Sequence, residues 1–323
     1  MNQDIFVLIE HLQGQVPEIS YTMLAAARQM VGGSGGQVVG VLLGKDAQKL
    51  AESLAADKVL YVDHAALAEF NPDAYLAVLP TLIEEKQPRA VLLGSTTIGS
   101  DVAGGLSVKL SLPLISQCQQ VIVDGSAIKA VSKICGGKIM AETDLPEETT
   151  LVTMIPGGYA PEDGQGAGAA IETVAAPSLD GMRVTLSSYI EPEAGDVDLE
   201  KEPIVIAVGR GIQTEDNIEL AQDLADLLGG VVAGSRPVVD QGWLSTSRLV
   251  GKSGKRVKAK LYLTLGISGA PEHVEGVTGS ETIIAINSDP AAPIFEVAKY
   301  GVNVDLFDLI DPLIEAVSDA KGA

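Results

Sequence analysis

The run Ile204-Val205-Ile206-Ala207-Val208-Gly209-Arg210-Gly211 decides the fold of the second half of this chain. Five apolar residues without polar alternation describe a strand buried on both faces, as in a parallel sheet. The Gly-Arg-Gly that follows is a tight exit. Beyond it, Ile218, Ala221, Leu224, Ala225 and Leu228 fall on one helical face, with Thr214 as the expected N-cap and Gly229-Gly230 as the stop. Three more buried-type runs follow: 231–233 ends at Gly234-Ser235-Arg236, 261–265 at Gly266-Ile267-Ser268-Gly269-Ala270, and 282–286 at Asn287. In an open parallel sheet the ligand crevice lies outside the carboxyl ends of the strands, where helix N-termini point free N–H groups. Arg210, Ser235, Arg236, Ser268 and Asn287 are therefore expected on one rim. Each has an ordinary alternative: Gly209 and Gly211 as turn glycines, Asn287-Ser288-Asp289-Pro290 as a helix-start loop. The coincidence of four strand ends favours a nucleotide-type site, in which small residues permit close approach and Arg supplies charge. Neither GxGxxG nor GxxxxGK[ST] is present, so a Rossmann or P-loop phosphate mode is not supported.

Upstream, residues 191–202 carry Glu191, Glu193, Asp196, Asp198, Glu200 and Glu202 against Lys201 alone, a composition that predicts a solvated linker. It divides an N-terminal domain, 1–190, from a second domain, 203–323. The first domain alternates apolar runs at 5–9, 38–43, 59–62 and 90–93 with helical patterns near 20–31, 47–56 and 73–85 and one starting near Ser100. Shorter runs at 120–123, 128–134 and 151–155, punctuated by Asp124-Gly125 and Gly136-Gly137, predict an antiparallel extension. Residues 157–168 predict an exposed loop. The expected fold class is α/β, with two domains each built on a mainly parallel sheet flanked by helices.

Composition narrows the function classes. The chain of 323 residues has 22 Lys+Arg against 43 Asp+Glu, a net charge of −21, so its own field opposes a nucleic-acid backbone or an anionic membrane. Aromatics are only 4%, with Trp243 the single tryptophan, which removes the stacking platform of single-strand binders. Cys118, Cys135, His11, His64 and His273 are too few and too scattered for a zinc or iron–sulfur site, and the two thiols read as reduced and partly buried. No targeting segment or membrane-spanning run is visible, so a cytoplasmic protein without membrane insertion is expected.

The motifs from Gly234 onward are more specific. SRPVVDQGW at 235–243, VGKSGK at 250–255, KLYLTLGISGAPEH at 260–273 and IAINSDPAAPIFEVAKYGVNVDLF at 284–307 together resemble the FAD domain of the electron-transfer flavoprotein alpha subunit. The resemblance covers essentially all of 203–318, while 1–190 agree more loosely with that family's first domain in strand order and length. It implies FAD as cofactor, a heterodimer with a beta subunit, and electron transfer from a flavoprotein dehydrogenase to a quinone-linked or other acceptor, without catalytic residues or a metal. The beta subunit of this family holds AMP or, in bifurcating members, a second FAD, so that site lies mostly on the other chain. Carried over by position, Arg236 lies against the isoalloxazine ring near N5, Ser253 turns its hydroxyl to N5, and His273 approaches the O2 edge. A guanidinium and an imidazole that charges would offset the negative charge that develops as flavin is reduced. Arg210, Ser235, Ser268, Asn287 and Asp305 are implied at the pyrophosphate, ribityl and adenosine parts. Val250, Gly251, Lys252, Gly269, Ala270, Pro271, Glu272 and Leu306 complete the implied set.

The chain departs from the family pattern, which usually has Gln at Lys252, Thr at Ser253, Gln at Glu272 and an aliphatic residue at Pro271. Ser for Thr keeps the hydroxyl. Lys252 and Glu272 bring opposite charges, which leaves open whether they pair or act at separate flavin edges. The competing reading is a regulatory module that senses an adenine nucleotide without redox chemistry. A third, an NAD(P)-dependent enzyme, is disfavoured because no dinucleotide fingerprint opens either sheet.

Overall fold

The computed structural model describes residues 2–32, 35–125, 127–135, 137–189 and 197–322. The chain separates into two compact units, Met1–Tyr189 and Ile190–Ala323. Of the expected acidic linker, residues 191–196 lie outside the described residues. Its remainder is not wholly solvated, because Leu199 is fully buried in a core of the second unit with Val205 and Val257.

The first unit runs β1 (Ile5–Ile9), α1 (Glu18–Val31), β2 (Val38–Gly44), β3 (Lys58–Asp63), α2 (Pro72–Lys86), β4 (Ala90–Gly94), α3 (Thr97–Leu110), β5 (Leu114–Asp124), β6 (Ala127–Ile134), β7 (Ile139–Asp144), β8 (Thr150–Met154) and β9 (Ala170–Thr173). Among the described residues these strands form one sheet in the order β7-β6-β5-β8-β4-β1-β2-β3-β9. Strand period 2 explains why the apolar runs are continuous: Ile5, Val7 and Ile9 enter one core while Phe6 and Leu8 enter another.

Local expectations change at several points. Strand β8 is not part of the antiparallel extension: it pairs parallel with both β4 and β5, and the antiparallel ladder is β5-β6-β7. Strand β5 serves both because its register shifts beside Cys118, where Gln117 adopts φ 55°. The pattern at 47–56 forms only a short 3-10 turn, Gln48–Ser53. Its start is held by Tyr61, whose hydroxyl accepts from the Ala47 N–H at 2.9 Å, and fully buried Leu54 leaves it as extended chain bridged to Gln165. Residues 157–168 are largely exposed, as expected, except at Gly164, which is buried where a Cβ would strike the Tyr21 backbone. Their return lays β9 parallel on β3, an edge strand the sequence pattern did not reveal. Both cysteines are free; Cys118 is buried, which pushes its thiol up to about 11, and Cys135 is exposed.

The second unit runs β10 (Ile204–Val208), α4 (Ile218–Leu228), β11 (Val231–Gly234), α5 (Arg236–Asp240), β12 (Leu261–Leu265), α6 (Pro271–Val274), β13 (Ile283–Asn287), β14 (Tyr300–Asn303) and α7 (Leu306–Lys321). Among the described residues its sheet order is β11-β10-β12-β13-β14, parallel throughout. Val205 and Ala207 face one core and Ile206 and Val208 the other. Helix α4 has Asn217 and not Thr214 at its N-cap position, and the Asn217 side chain caps no helix N–H but donates to the Ile212 carbonyl at 2.8 Å. Gln213 takes φ 72° and the Ile218 N–H closes a turn on the Glu215 carbonyl at 2.9 Å, so the chain turns once more before the helix begins. The connection from β10 leads to β11 on one side, whereas the later strands add on the other. The order therefore reverses between β10 and β12, where crevices form in open α/β sheets. Among the described residues no helix is long and apolar enough to cross a membrane.

Candidate functional site

A cleft of about 610 Å³ lies in the second unit, outside the carboxyl ends of β10 to β13. Its walls include Arg210, Ser235, Arg236, Val250, Gly251, Lys252, Ser253, Ser268, Ala270, Glu272, His273 and Asn287. Backbone contacts assemble it. The Ser235 N–H donates to the Val208 carbonyl at 3.0 Å, joining the exits of β10 and β11. Leu249-Val250 returns to the β11 end, where the Val250 N–H donates to Gly234 at 3.0 Å. The Lys252 N–H donates to the Glu272 carbonyl at 2.7 Å, fastening that loop to α6. The Lys252 and Glu272 segments thus meet through the main chain, and no ion pair joins their side chains among the described residues.

The glycines answer to the protein itself. A Cβ on Gly209 would overlap the Gly266 carbonyl oxygen and stand 2.7 Å from Ile267 Cα, and one on Gly211 would stand 2.7 Å from Gly266 Cα. Two strand-exit loops therefore touch backbone to backbone, which only glycine permits. Gly211 lines the cleft, whereas Gly209 and Gly269 do not; Gly269 sits at φ 88° against the Ile294 backbone. Asn287 spends its side chain on the loops: its Nδ2 donates to the Ile267 carbonyl at 2.8 Å and its Oδ1 accepts from the Asp289 N–H at 2.9 Å.

Arg236 opens α5 and is exposed. Its Nε donates to Asp240 at 2.7 Å, one helical turn on, and its Nη1 donates to the Ser253 hydroxyl at 3.3 Å. Asp305 caps α7, accepting from the Phe307 N–H at 3.0 Å, and Leu306 packs into the apolar core. Neither lines the cleft, nor does Pro271. The walls also include Pro237, Leu249, Gly266 and Ile267, which sequence reading passed over as ordinary apolar or turn residues.

His273 behaves differently from the charging imidazole expected above. It is 6% exposed, and burial pushes its pKa down from 6.5 to about 4. It is uncharged at neutral pH because the surrounding apolar walls solvate an imidazolium poorly. Its Nε2 lies 3.0 Å from the hydroxyl of Tyr262, itself completely buried, while its Nδ1 has no hydrogen-bond partner. The lining carries Arg210, Arg236 and Lys252 against the single carboxylate of Glu272, a locally positive surface on a chain of net charge −21. Such a cleft can hold an anionic group against the global field.

Comparison with known proteins follows the same division of the chain. Residues 5–179 match the model of the electron transfer flavoprotein domain, and residues 198–278 match that of the electron transfer flavoprotein FAD-binding domain. The electron transfer flavoprotein subunit alpha of Syntrophomonas wolfei is 35% identical over 312 residues, 96% of this chain and 97% of its own. That of Thermoanaerobacterium thermosaccharolyticum is 33% identical over 326 residues, 99% of each chain. The acryloyl-CoA reductase electron transfer subunit beta of Anaerotignum propionicum is 32% identical over 357 residues, 99% of this chain and 97% of its own. With full-length agreement and every cleft residue but Asn287 inside the matched second domain, the chain belongs to the electron-transfer flavoprotein family as an alpha subunit, and its role is that family's electron transfer by a flavin.

Proposed function

We propose that this chain holds FAD in the cleft of its second unit and serves, with a beta subunit, as an electron carrier between a flavoprotein dehydrogenase and a quinone-linked or other acceptor. In this reading it is a carrier and not itself an enzyme, and the division into a first domain, an acidic linker and a FAD domain is the working organisation. One observation carries it: a cationic rim and a buried wall with an unpartnered imidazole nitrogen meet at the reversal of strand order between β10 and β12.

When bound, FAD supplies reversible one- and two-electron chemistry. The side chains bind and orient it. Arg210 and Lys252 offer cationic donors to an anionic pyrophosphate, and the Ser235 hydroxyl, which caps no helix N–H, is free to donate. Asn287 and Gly209 act indirectly, by holding the β12 exit loop in place. Asp305 and Leu306 act at most through the placement of α7. Arg236, steered by Asp240 and Ser253, places positive charge where the family resemblance sets the flavin ring. His273 contributes an uncharged donor or acceptor at the buried wall.

The test is the chain purified together with a beta-type subunit. About one FAD per alpha chain, with a flavin visible spectrum, is expected; a colourless complex that takes up adenine nucleotides but no FAD on reconstitution would replace this reading with the regulatory-module one. A second measurement addresses Arg236. Its side chain is 61% exposed, so its interaction with charge in the cleft is discounted to about 0.5–1.5 kcal/mol, or about 20–65 mV for one electron. Arg236→Ala is expected to lower the one-electron potential by that amount with FAD retained, and Arg236→Lys by less. Unchanged potentials in spectroelectrochemistry would remove Arg236 from the flavin's surroundings.

A further inference from the structure

We propose that Tyr262 is a positioning residue that fixes His273 in the Nδ1–H tautomer, so that the imidazole presents a hydrogen-bond donor to the ligand cleft.

Hydrogen placement in the buried Tyr262–His273 pair fixes the tautomer. Tyr262 lies in β12, completely buried, and its hydroxyl has one hydrogen-bond partner, His273 Nε2 at 3.0 Å. The phenol is pushed well above its ordinary pKa by burial, so it keeps its proton. His273 is itself uncharged near neutral pH, and its ring therefore carries a single proton. Two arrangements remain. If Nε2 carries that proton and donates to the phenol oxygen, the tyrosine O–H is left buried without an acceptor and Nδ1 is a bare buried acceptor without a donor. If instead the tyrosine O–H donates to Nε2, the proton must sit on Nδ1. The second arrangement satisfies the phenol donor and leaves one unpaired group, Nδ1–H. The Val250 carbonyl lies near enough to favour a ring proton slightly, although it does not complete a hydrogen bond to Nδ1. His273 and Val250 both line the cleft, so the unpaired, buried Nδ1 belongs to a residue of its wall.

This matters for the redox role, on which the proposal's significance rests through the reading of the cleft as a FAD site. A fixed N–H dipole stabilises negative charge at the ligand without an imidazolium and needs no reorganisation when that charge appears. Were the tautomer free, the same nitrogen would as readily present a lone pair, which repels developing negative charge. Tyr262 thus decides the sign of the His273 contribution without itself lining the cleft.

The experiment is nitrogen-15 NMR of the histidine rings in the full chain near pH 7, with His273 identified among the three histidines by a His273→Gln chain. The parent is expected to show a protonated, pyrrole-type Nδ1 and an unprotonated, pyridine-type Nε2. Tyr262→Phe, which removes only the hydroxyl, should move the tautomer ratio about tenfold toward Nε2–H, the equivalent of one hydrogen bond. Tyr262→Phe should also lower the flavin potential, and Tyr262→Ser, if folded, should restore neither, because its hydroxyl is too short to reach. A parent spectrum with Nε2 protonated overturns the proposal even if Tyr262→Phe does not fold, and so does an unchanged ratio in a folded Tyr262→Phe chain. Since the tautomer is read with or without flavin, a chain that shows Nδ1–H but takes up no FAD supports the positioning role and defeats the flavin reading alone.

Discussion

Acidification should weaken the second unit by about 2 kcal/mol between pH 7 and pH 5, through His273 alone. In the folded chain its pKa is depressed from 6.5 to about 4, because burial opposes the imidazolium. Between those values the unfolded chain binds a proton that the folded chain refuses. Stability is therefore complete above about pH 6.5, falls as pH drops, and stops falling below about pH 4, a total of about 3 kcal/mol. The pair of Asp198 with Lys201 lies in the same unit, but its carboxyl is held below the ordinary 3.8 and is lost only at more acidic pH. Trp243, the single tryptophan, packs against a core of this unit, so its fluorescence during urea unfolding follows the relevant transition. His273→Gln should flatten the slope. A second-unit midpoint that does not move between pH 7 and pH 5 would mean that the imidazole finds solvation the folded structure does not show.

The first unit should respond in the opposite sense, which makes the comparison internal to one molecule. Glu10, at the end of β1, is 3% exposed, and burial raises its pKa despite the hydrogen bond it accepts from the Thr96 hydroxyl at 2.9 Å. Between the ordinary 4.5 and that raised value the folded chain holds the proton more readily, so mild acidification favours the first unit through this group.

The second large effect is expected at Gly209, where Gly209→Ala should destabilise the second unit by about 3–5 kcal/mol. The residue has φ −107°, so no backbone strain is involved. The cost is steric: the added methyl overlaps the Gly266 carbonyl oxygen and crowds Ile267 Cα at 2.7 Å, and both are main-chain atoms that cannot swing aside. Relief requires parting the exits of β10 and β12, which carry Arg210 and Ser268 on the cleft rim. Ligand uptake should fall together with stability. Gly104→Ala is the control: it sits within α3, where a Cβ meets nothing within 4 Å, and should stabilise the first unit by about 0.5–1 kcal/mol. If Gly209→Ala unfolds at the parent's urea midpoint, the backbone contact across the cleft is not a constraint in solution.

The sequence by itself determined the α/β class and the rim, for a local reason. Strands such as 204–208, and 261–265 apart from Thr264, are apolar without alternation because both faces of a parallel sheet are covered, and that signature survives without knowledge of any partner strand. Strand ends follow from the same runs, so Arg210, Ser235, Arg236, Ser268 and Asn287 could be set on one edge before the order β11-β10-β12-β13-β14 was known. The order itself, and with it the reversal that opens the cleft, depends on pairing between distant segments. So do the parallel placement of β8, the return of β9 to β3, and the packing of the turn at Pro161–Gly164 on α1, since their side chains look alike whichever neighbour they meet. Tertiary structure alone decided the chemistry of His273. Its motif marked it for the cleft, but its charge and the placement of its proton are set by burial and by one hydroxyl, eleven residues away on the neighbouring strand β12, that no periodicity discloses.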